Sequence, residues 1–366
     1  MSERFLSGKQ AQLFVTESCD LTCDGCPYPG LSREIKARLK QEEIRVEEWK
    51  NVTDFLYKGG VRLFCVIGGE PATYEGVEGV VQNIKARSGT VVLLSTSGLH
   101  LARNPELRQR VGGILAEENA YKFKNGVVIS FDHKVTDDIE NARVLKAREG
   151  LKSILLLQEE YGDQITYAAN MMVTPESLGE VLDIQESLEG FGIYTNLCTQ
   201  QVKCFGGKTA IFSEEEMPNL VVVGREMIRR KVEGRRVVNS VAYLSQLPGI
   251  IGRESYRCWD EPGGSPVVDV GHDGELRYCN WITRGGVLIN ELISGTTSWK
   301  EFEMASRVYT QGNCIGCSWS RRDRNLPLMV PYNGSIFVEG DPLRDMVTRP
   351  ELQNIWVQAQ LERASS

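Results

Sequence analysis

"CDLTCDGCPYPG", residues 19–30, places Cys19, Cys23 and Cys26 within eight positions. With 10 cysteines in 366 residues, a trio at one fixed spacing arises by chance in fewer than about one such chain in a hundred. The spacing Cys-x3-Cys-x2-Cys supplies three thiolates with no fourth ligand close by. Structural zinc takes four ligands, usually from paired knuckles, and no histidine or further cysteine follows nearby. A [4Fe–4S] cluster takes one thiolate per iron, so three cysteines leave one iron open. An open coordination position is where a metal centre binds a ligand and does chemistry.

Outward from this loop, short apolar runs alternate with amphipathic ones. The runs are 11–18, 61–69, 90–98, 126–132, 165–173 and 193–198, rich in β-branched residues and apolar on both faces. Such runs suit strands of a parallel sheet covered by helices. The stretches 42–60, 74–89, 137–162 and 175–192 carry apolar residues at helical spacing. The expected fold is α/β, a partial (β/α)6 TIM-type barrel over residues 1–212. Functional groups then gather at the carboxyl ends of the strands. Cys19, Gly68-Gly69-Glu70, Thr96-Ser97-Gly98 and Asp132 all fall there.

A helical linker is expected over 213–255, with Ser213 as the N-cap of its clearest helix. Residues 266–281 read as two short strands joined through Asp273-Gly274, a hairpin signal. They belong to a small β-hairpin/helix domain over 256–325, followed by a C-terminal extension over 326–366.

The formal charge is −7 and no Lys/Arg-rich run stands out, which speaks against nucleic acid or an anionic membrane as partner. No run approaches the ~20 apolar residues of a membrane span, and no signal peptide is visible. The expected location is the cytoplasm. In that reducing setting the cysteines are ligands or redox groups rather than disulfides. With only three histidines, His100, His133 and His272, a two-His zinc site or a His-centred triad has little material.

The cysteine trio after the first strand and Gly68-Gly69-Glu70-Pro71 after the second resemble the radical S-adenosylmethionine (SAM) superfamily over residues 10–210. The resemblance implies that the open iron chelates SAM and that the GGEP segment lies against its methionine amino group. Two glycines permit close backbone approach, and Glu70 offers an acceptor to an ammonium group. Ser130 and Asp132 resemble the family's ribose-contacting segment, and Asn170 and Asn196 are further candidates. The family usually has a sheltering aromatic residue before the third cysteine. Here that residue is Gly25, and Tyr28 is the candidate for the adenine-stacking role.

A second group comprises Cys258, Cys279, Cys314 and Cys317. Four thiolates close a zinc site or fully ligate a [4Fe–4S] cluster, and the residues alone leave both open. The arrangement resembles the twitch domain, a shortened SPASM extension, which implies an auxiliary [4Fe–4S] cluster. Of the remaining cysteines, Cys65 reads as core packing, and Cys198 and Cys204 as inert thiols. Gly206-Gly207-Lys208-Thr209 lacks the earlier glycine of a phosphate-binding loop.

The resemblance implies reductive cleavage of SAM to a 5′-deoxyadenosyl radical, fed by a flavodoxin- or ferredoxin-type donor. That radical takes a hydrogen atom from the substrate. The expected substrate is small and polar, an aminocyclitol, sugar or nucleoside. Its radical is then oxidised through the auxiliary cluster, a dehydrogenase-like outcome. A base for such an oxidation comes from His133, Lys203 or Arg257, with Lys134 and Glu254 nearby. Two alternatives stand beside this reading. One is a peptide-modifying radical SAM enzyme with a separate leader-binding partner. The other is an iron–sulfur or zinc protein without SAM chemistry.

Overall fold

The structure, a computed structural model, describes residues 10–23, 26, 33–117, 124–131, 142–199, 212–239, 241–245, 247, 267–278 and 286–313. Tyr28, Asp132, His133, Lys134, Lys203, Cys204, Glu254, Arg257, Cys258, Cys279, Cys314 and Cys317 lie outside them.

All six expected strands form: β1 (Gln10–Phe14), β2 (Leu63–Ile67), β3 (Val91–Thr96), β4 (Gly126–Ser130), β5 (Thr166–Val173) and β6 (Tyr194–Thr199). The helices of this region are α1 (Arg33–Glu42), α2 (Val46–Lys58), α3 (Val77–Lys85), α4 (Leu99–Arg103), α5 (Pro105–Ala116), α6 (Ala142–Tyr161) and α7 (Val181–Gly190). The chain divides into two compact units, Met1–Ile129 with Glu149–Thr166 and Gly263–Cys314, and Ser130–Arg148 with Tyr167–Pro262 and Ile315–Ser366.

In the first unit β1, β2, β3 and β4 pair in parallel. Ala11, Leu13, Phe64, Val66 and Val92 are fully buried. Each of these larger side chains, Ala11 aside, contributes roughly 1.5–3 kcal/mol of apolar burial. Gln12, Cys65 and Ser95 alternate with them and are only half-buried. The same face also carries the buried Phe14, Leu63, Val91 and Leu93, so the strands are largely apolar on both faces, with the half-buried groups interspersed at period two. Cys65 lies on that face, half-buried, and its sulfur accepts the Gln10 amide at 2.6 Å.

Helices α4 and α5 escaped the sequence pattern. Gly112 and Gly113 both lie inside α5. A Cβ on Gly112 would come within 2.3 Å of the Tyr161 ring on α6. The glycine is there so that the two helices can approach.

The hairpin around Asp273-Gly274 forms as β7 (Val267–Val270) and β8 (Glu275–Arg277), with β9 (Val287–Leu288) antiparallel to β8. β7 pairs in parallel with β1. β1 thus has neighbours on both sides, and the sheet does not close through it. Helices α10 (Ile289–Ser294) and α11 (Trp299–Asn313) follow. Tyr278, Phe302 and Trp299 form one aromatic cluster, Tyr278 stacked on Phe302 at 5.3 Å and edge-on to Trp299 at 6.2 Å.

In the second unit β5 and β6 pair in parallel, from Ala168 beside Tyr194 to Val173 beside Thr199. Helix α8 (Met217–Val232) packs on α7 and on α9 (Val241–Ser245). Arg230 is buried between them, donating to Leu182 O at 2.8 Å and pairing with Glu226 at 3.0 Å. Helix α8 starts later than the Ser213 cap expected from sequence. Pro218 sits in its first turn with Glu216 as N-cap, a position proline favours. Ser213 instead donates its N–H to Glu216 at 2.6 Å in the preceding turn.

Candidate active site

The site is built where β1 and β2 run out. Their hydrogen bonding continues past the strands: Val15 N–H donates to Ile67 O at 2.9 Å, Gly69 N–H to Thr16 O at 2.8 Å, and Glu70 N–H to Ser18 O at 2.7 Å. Residues 67–70 are thereby laid along residues 15–18, one residue short of Cys19. A Cβ on Gly69 would lie 2.2 Å from Ser18 O, and one on Gly68 would lie 2.4 Å from Thr16 O. Both contacts are with backbone, so no side chain can move aside.

Cys19, Cys23 and Cys26 are half-buried and none is in a disulfide. Cys26 N–H donates to Cys23 O at 3.2 Å, closing a turn between the last two. Burial pushes the Cys19 thiol up to about 11, against the Leu21 backbone N–H, with the charges of Glu70, Cys26 and Cys23 adding to the rise. The three thiols thus lie within each other's field, and a thiolate at Cys19 calls for a cation. Among the described residues no three Cys, His, Asp or Glu side chains converge on one metal ion. A cubane does not ask for such convergence, since each thiolate takes its own iron. Three thiols without a fourth are a donor set that a [4Fe–4S] cluster with one open iron accepts.

Glu70 is buried, 2% exposed. Its carboxylate accepts from Thr96 Oγ1 at 2.5 Å, Ser97 N–H at 2.7 Å and Ala72 N–H at 3.1 Å. It caps the 3-10 turn Pro71–Thr73 and ties it to the end of β3. The carboxylate is committed inside the protein, and the nearby Thr96-Ser97-Gly98 turn is held by it.

Several residues around the loop carried no functional signal in sequence. Thr16 Oγ1 donates to Glu43 at 2.5 Å and accepts Ser18 N–H at 2.9 Å. Asp20 and His100 share a hydrogen bond of 2.8 Å. His272, 5% exposed in the hairpin turn, has Nδ1 3.4 Å from Glu17 and Nε2 3.8 Å from Glu42. Burial works against its charge, but Glu17, Asp273 and Glu42 outweigh that and raise its pKa above the ordinary value. Burial also raises Glu43.

In the second unit Ser130 ends β4, and Phe131 N–H donates to Asn170 O at 2.9 Å. Asn170 is half-buried beside Asn196 on β6, with Cys198 two residues on. Asn239, unremarkable in sequence, hydrogen-bonds Asn196 at 2.9 Å. No helix among the described residues is long and apolar enough to cross a membrane.

No protein-family profile matches the chain. It is 31% identical over 93 residues, 25% of its length, to GTP 3′,8-cyclase 1 of Pseudomonas aeruginosa. It is 28% identical over 105 residues, 28% of its length, to GTP 3′,8-cyclase of Aquifex aeolicus. The matches span 27% and 32% of those relatives. Among solved structures, Streptococcus suis SuiB bound to S-adenosylmethionine superposes with TM-score 0.57 at 13% identity, over 81% of this chain and 67% of that one. SuiB bound to its precursor peptide SuiA gives 0.58 at 14%, over 80% and 65%. At such identities the likeness speaks for the fold, a partial TIM-type barrel. Shared fold, sequence relatives and the cysteine and GGEP motifs together support a radical SAM superfamily member.

Proposed function

We propose that this chain is an enzyme that holds a [4Fe–4S] cluster on Cys19, Cys23 and Cys26, binds SAM beside it, and acts on a small polar substrate. The observation that carries this reading is the Thr16–Ser18 to Gly69–Glu70 hydrogen bonding, which sets the GGEP segment against the residues leading into Cys19. When bound, cluster and SAM supply a 5′-deoxyadenosyl radical able to take hydrogen from an unactivated carbon. The chain's part is positioning. Gly68 and Gly69 allow close backbone approach, Glu70 holds the β3 turn in place, and Pro71 starts the 3-10 turn. Tyr28, Ser130, Asp132 and Asn170 are assigned to the nucleoside by resemblance. His133, Lys203 and Arg257 stay the candidates for a base. An external flavodoxin- or ferredoxin-type protein delivers the electron.

Cys258, Cys279, Cys314 and Cys317 hold an auxiliary [4Fe–4S] cluster in this reading, and the outcome is a dehydrogenase-like oxidation. In support, Tyr278 and α11, which ends at Asn313, immediately precede two of those cysteines and are joined by the aromatic cluster. An aminocyclitol, sugar or nucleoside substrate finds support in relatives named for a nucleotide. A second reading, peptide modification, finds support in the likeness to SuiB bound to a precursor peptide.

Anaerobic reconstitution tests the proposal. About eight irons per chain are expected for two cubanes, and about four after Cys19→Ala with Cys23→Ala and Cys26→Ala. Reduced protein with SAM should release 5′-deoxyadenosine, and the triple variant should not. Fully loaded, reduced protein that leaves SAM intact would overturn the reading. Deuterium transfer from labelled nucleosides, sugars or peptides into 5′-deoxyadenosine separates the two substrate classes.

A further inference from the structure

Three asparagines of the second unit hydrogen-bond in series. Asn239 is fully buried. Its Oδ1 accepts the Leu197 N–H at 2.6 Å, while its Nδ2 donates to Leu197 O at 3.0 Å and to Asn196 Oδ1 at 2.9 Å. Asn196 Nδ2 donates in turn to Asn170 Oδ1 at 2.8 Å and to Cys198 Sγ at 3.4 Å. Asn170 and Asn196 are register partners on β5 and β6.

An amide side chain has one accepting and one donating end, and turning it by half a revolution exchanges them. Here the backbone of Leu197 removes the choice. Its N–H only donates and its carbonyl only accepts, so Asn239 has a single satisfactory orientation. The remaining Asn239 N–H demands an acceptor, so Asn196 turns its oxygen toward it. The Asn196 nitrogen then faces Asn170 and demands Oδ1 there. Asn170 is left with Nδ2 turned away from the series, its N–H groups unspent on any described residue. Phe131 N–H on Asn170 O puts this residue level with the end of β4, where ligands of α/β sheets gather.

Taking SAM as the ligand proposed above, we infer that Asn239 and Asn196 are positioning residues that set the polarity of Asn170, so that it presents a donor to a hydrogen-bond acceptor of the nucleotide. That acceptor is a ribose oxygen, a ring nitrogen or the carboxylate. Asn196→Asp replaces the donor facing Asn170 by an acceptor. Asn170 must then turn Nδ2 inward and present oxygen to the ligand. Asn239→Asp has the same effect one step further back.

The test is SAM affinity, by calorimetry, on the full chain reconstituted anaerobically, with iron content and melting temperature measured alongside. Asn170→Ala is expected to weaken SAM binding about tenfold, the worth of one hydrogen bond. Asn196→Asp should weaken it about as much with iron content unchanged, and should add nothing in the Asn170→Ala background. A role in folding alone would lower melting temperature and iron content regardless of Asn170. Should Asn239→Asp fail to fold through its buried charge, Asn196→Asp at its half-buried position carries the test. Wild-type affinity in Asn196→Asp, or a further loss in the Asn170→Ala background, overturns the inference while leaving SAM as the ligand. Cluster-loaded wild-type protein that binds no SAM overturns both.

Discussion

Gly69→Ala tests the geometry on which the site is built. The added Cβ would stand 2.2 Å from Ser18 O, 2.7 Å from Ser18 C and 2.8 Å from Glu17 O. All three atoms are backbone, so relief requires residues 68–70 to separate from 16–18. That separation stretches two hydrogen bonds, Gly69 N–H to Thr16 O and Glu70 N–H to Ser18 O, worth about 1 kcal/mol each. Residual backbone distortion adds roughly 1–2 kcal/mol. The expected loss is about 3–4 kcal/mol, or a fall in melting temperature of about 6–8 °C at roughly 2 °C per kcal/mol. Because the displaced residues lead directly into Cys19, iron uptake at the first cluster should fall as well. Anaerobic melting followed by circular dichroism, with iron counting, measures both. Gly190→Ala serves as control: nothing lies within 4 Å of its added Cβ, and alanine in a helix is neutral to stabilising. A Gly69→Ala protein that melts within about 1 °C of wild type and loads its full iron would refute the close-approach argument.

Three further outcomes follow from the same region. Glu70→Gln keeps the shape but sets its NH2 group against one N–H donor, either Ser97, now 2.7 Å from Oε2, or Ala72, now 3.1 Å from Oε1. It should cost about 1–3 kcal/mol in denaturant unfolding, and an unchanged midpoint would count against the anchoring role. His272 has a raised pKa, so its contribution is complete below the unfolded value of 6.5 and is lost as pH rises through the folded one. The stability gap between wild type and His272→Asn should therefore be widest in mildly acid buffer and shrink toward alkaline pH; a gap constant with pH refutes the pairing with Glu17, Glu42 and Asp273. In cluster-free, reduced protein the Cys19 thiol, pushed up to about 11, is about one-thousandth ionised at pH 8. Its alkylation, followed by mass spectrometry, should quicken about tenfold per pH unit up to that value, and a plateau near pH 9 would contradict its burial.

The elements read most directly from sequence are those whose signals are local. Six strands, the hairpin at Asp273-Gly274 and helices α2, α3, α6 and α7 announce themselves through periodicity and turn residues. The helices after β3 did not, because Gly112 is spaced for contact with Tyr161, a residue far along the chain. The late start of α8 came from Pro218 outweighing the serine expected to cap it. Cys65 was read as core packing and is half-buried, because composition alone does not show how far each strand residue is covered.

The cysteine trio and the GGEP segment were legible in the sequence by themselves, since ligand number, spacing and the need for small residues are properties of neighbouring positions. They carry the resemblance to the radical SAM superfamily and the proposal of a cluster with one open iron. Folding alone decided that Glu70 is a buried strut, that His272 meets Glu17, that β7 lies beside β1, and that Asn239 reaches Asn196. Each of these joins residues far apart in the chain, and the energy of a hydrogen bond or ion pair depends on distance and burial that no short stretch of sequence specifies.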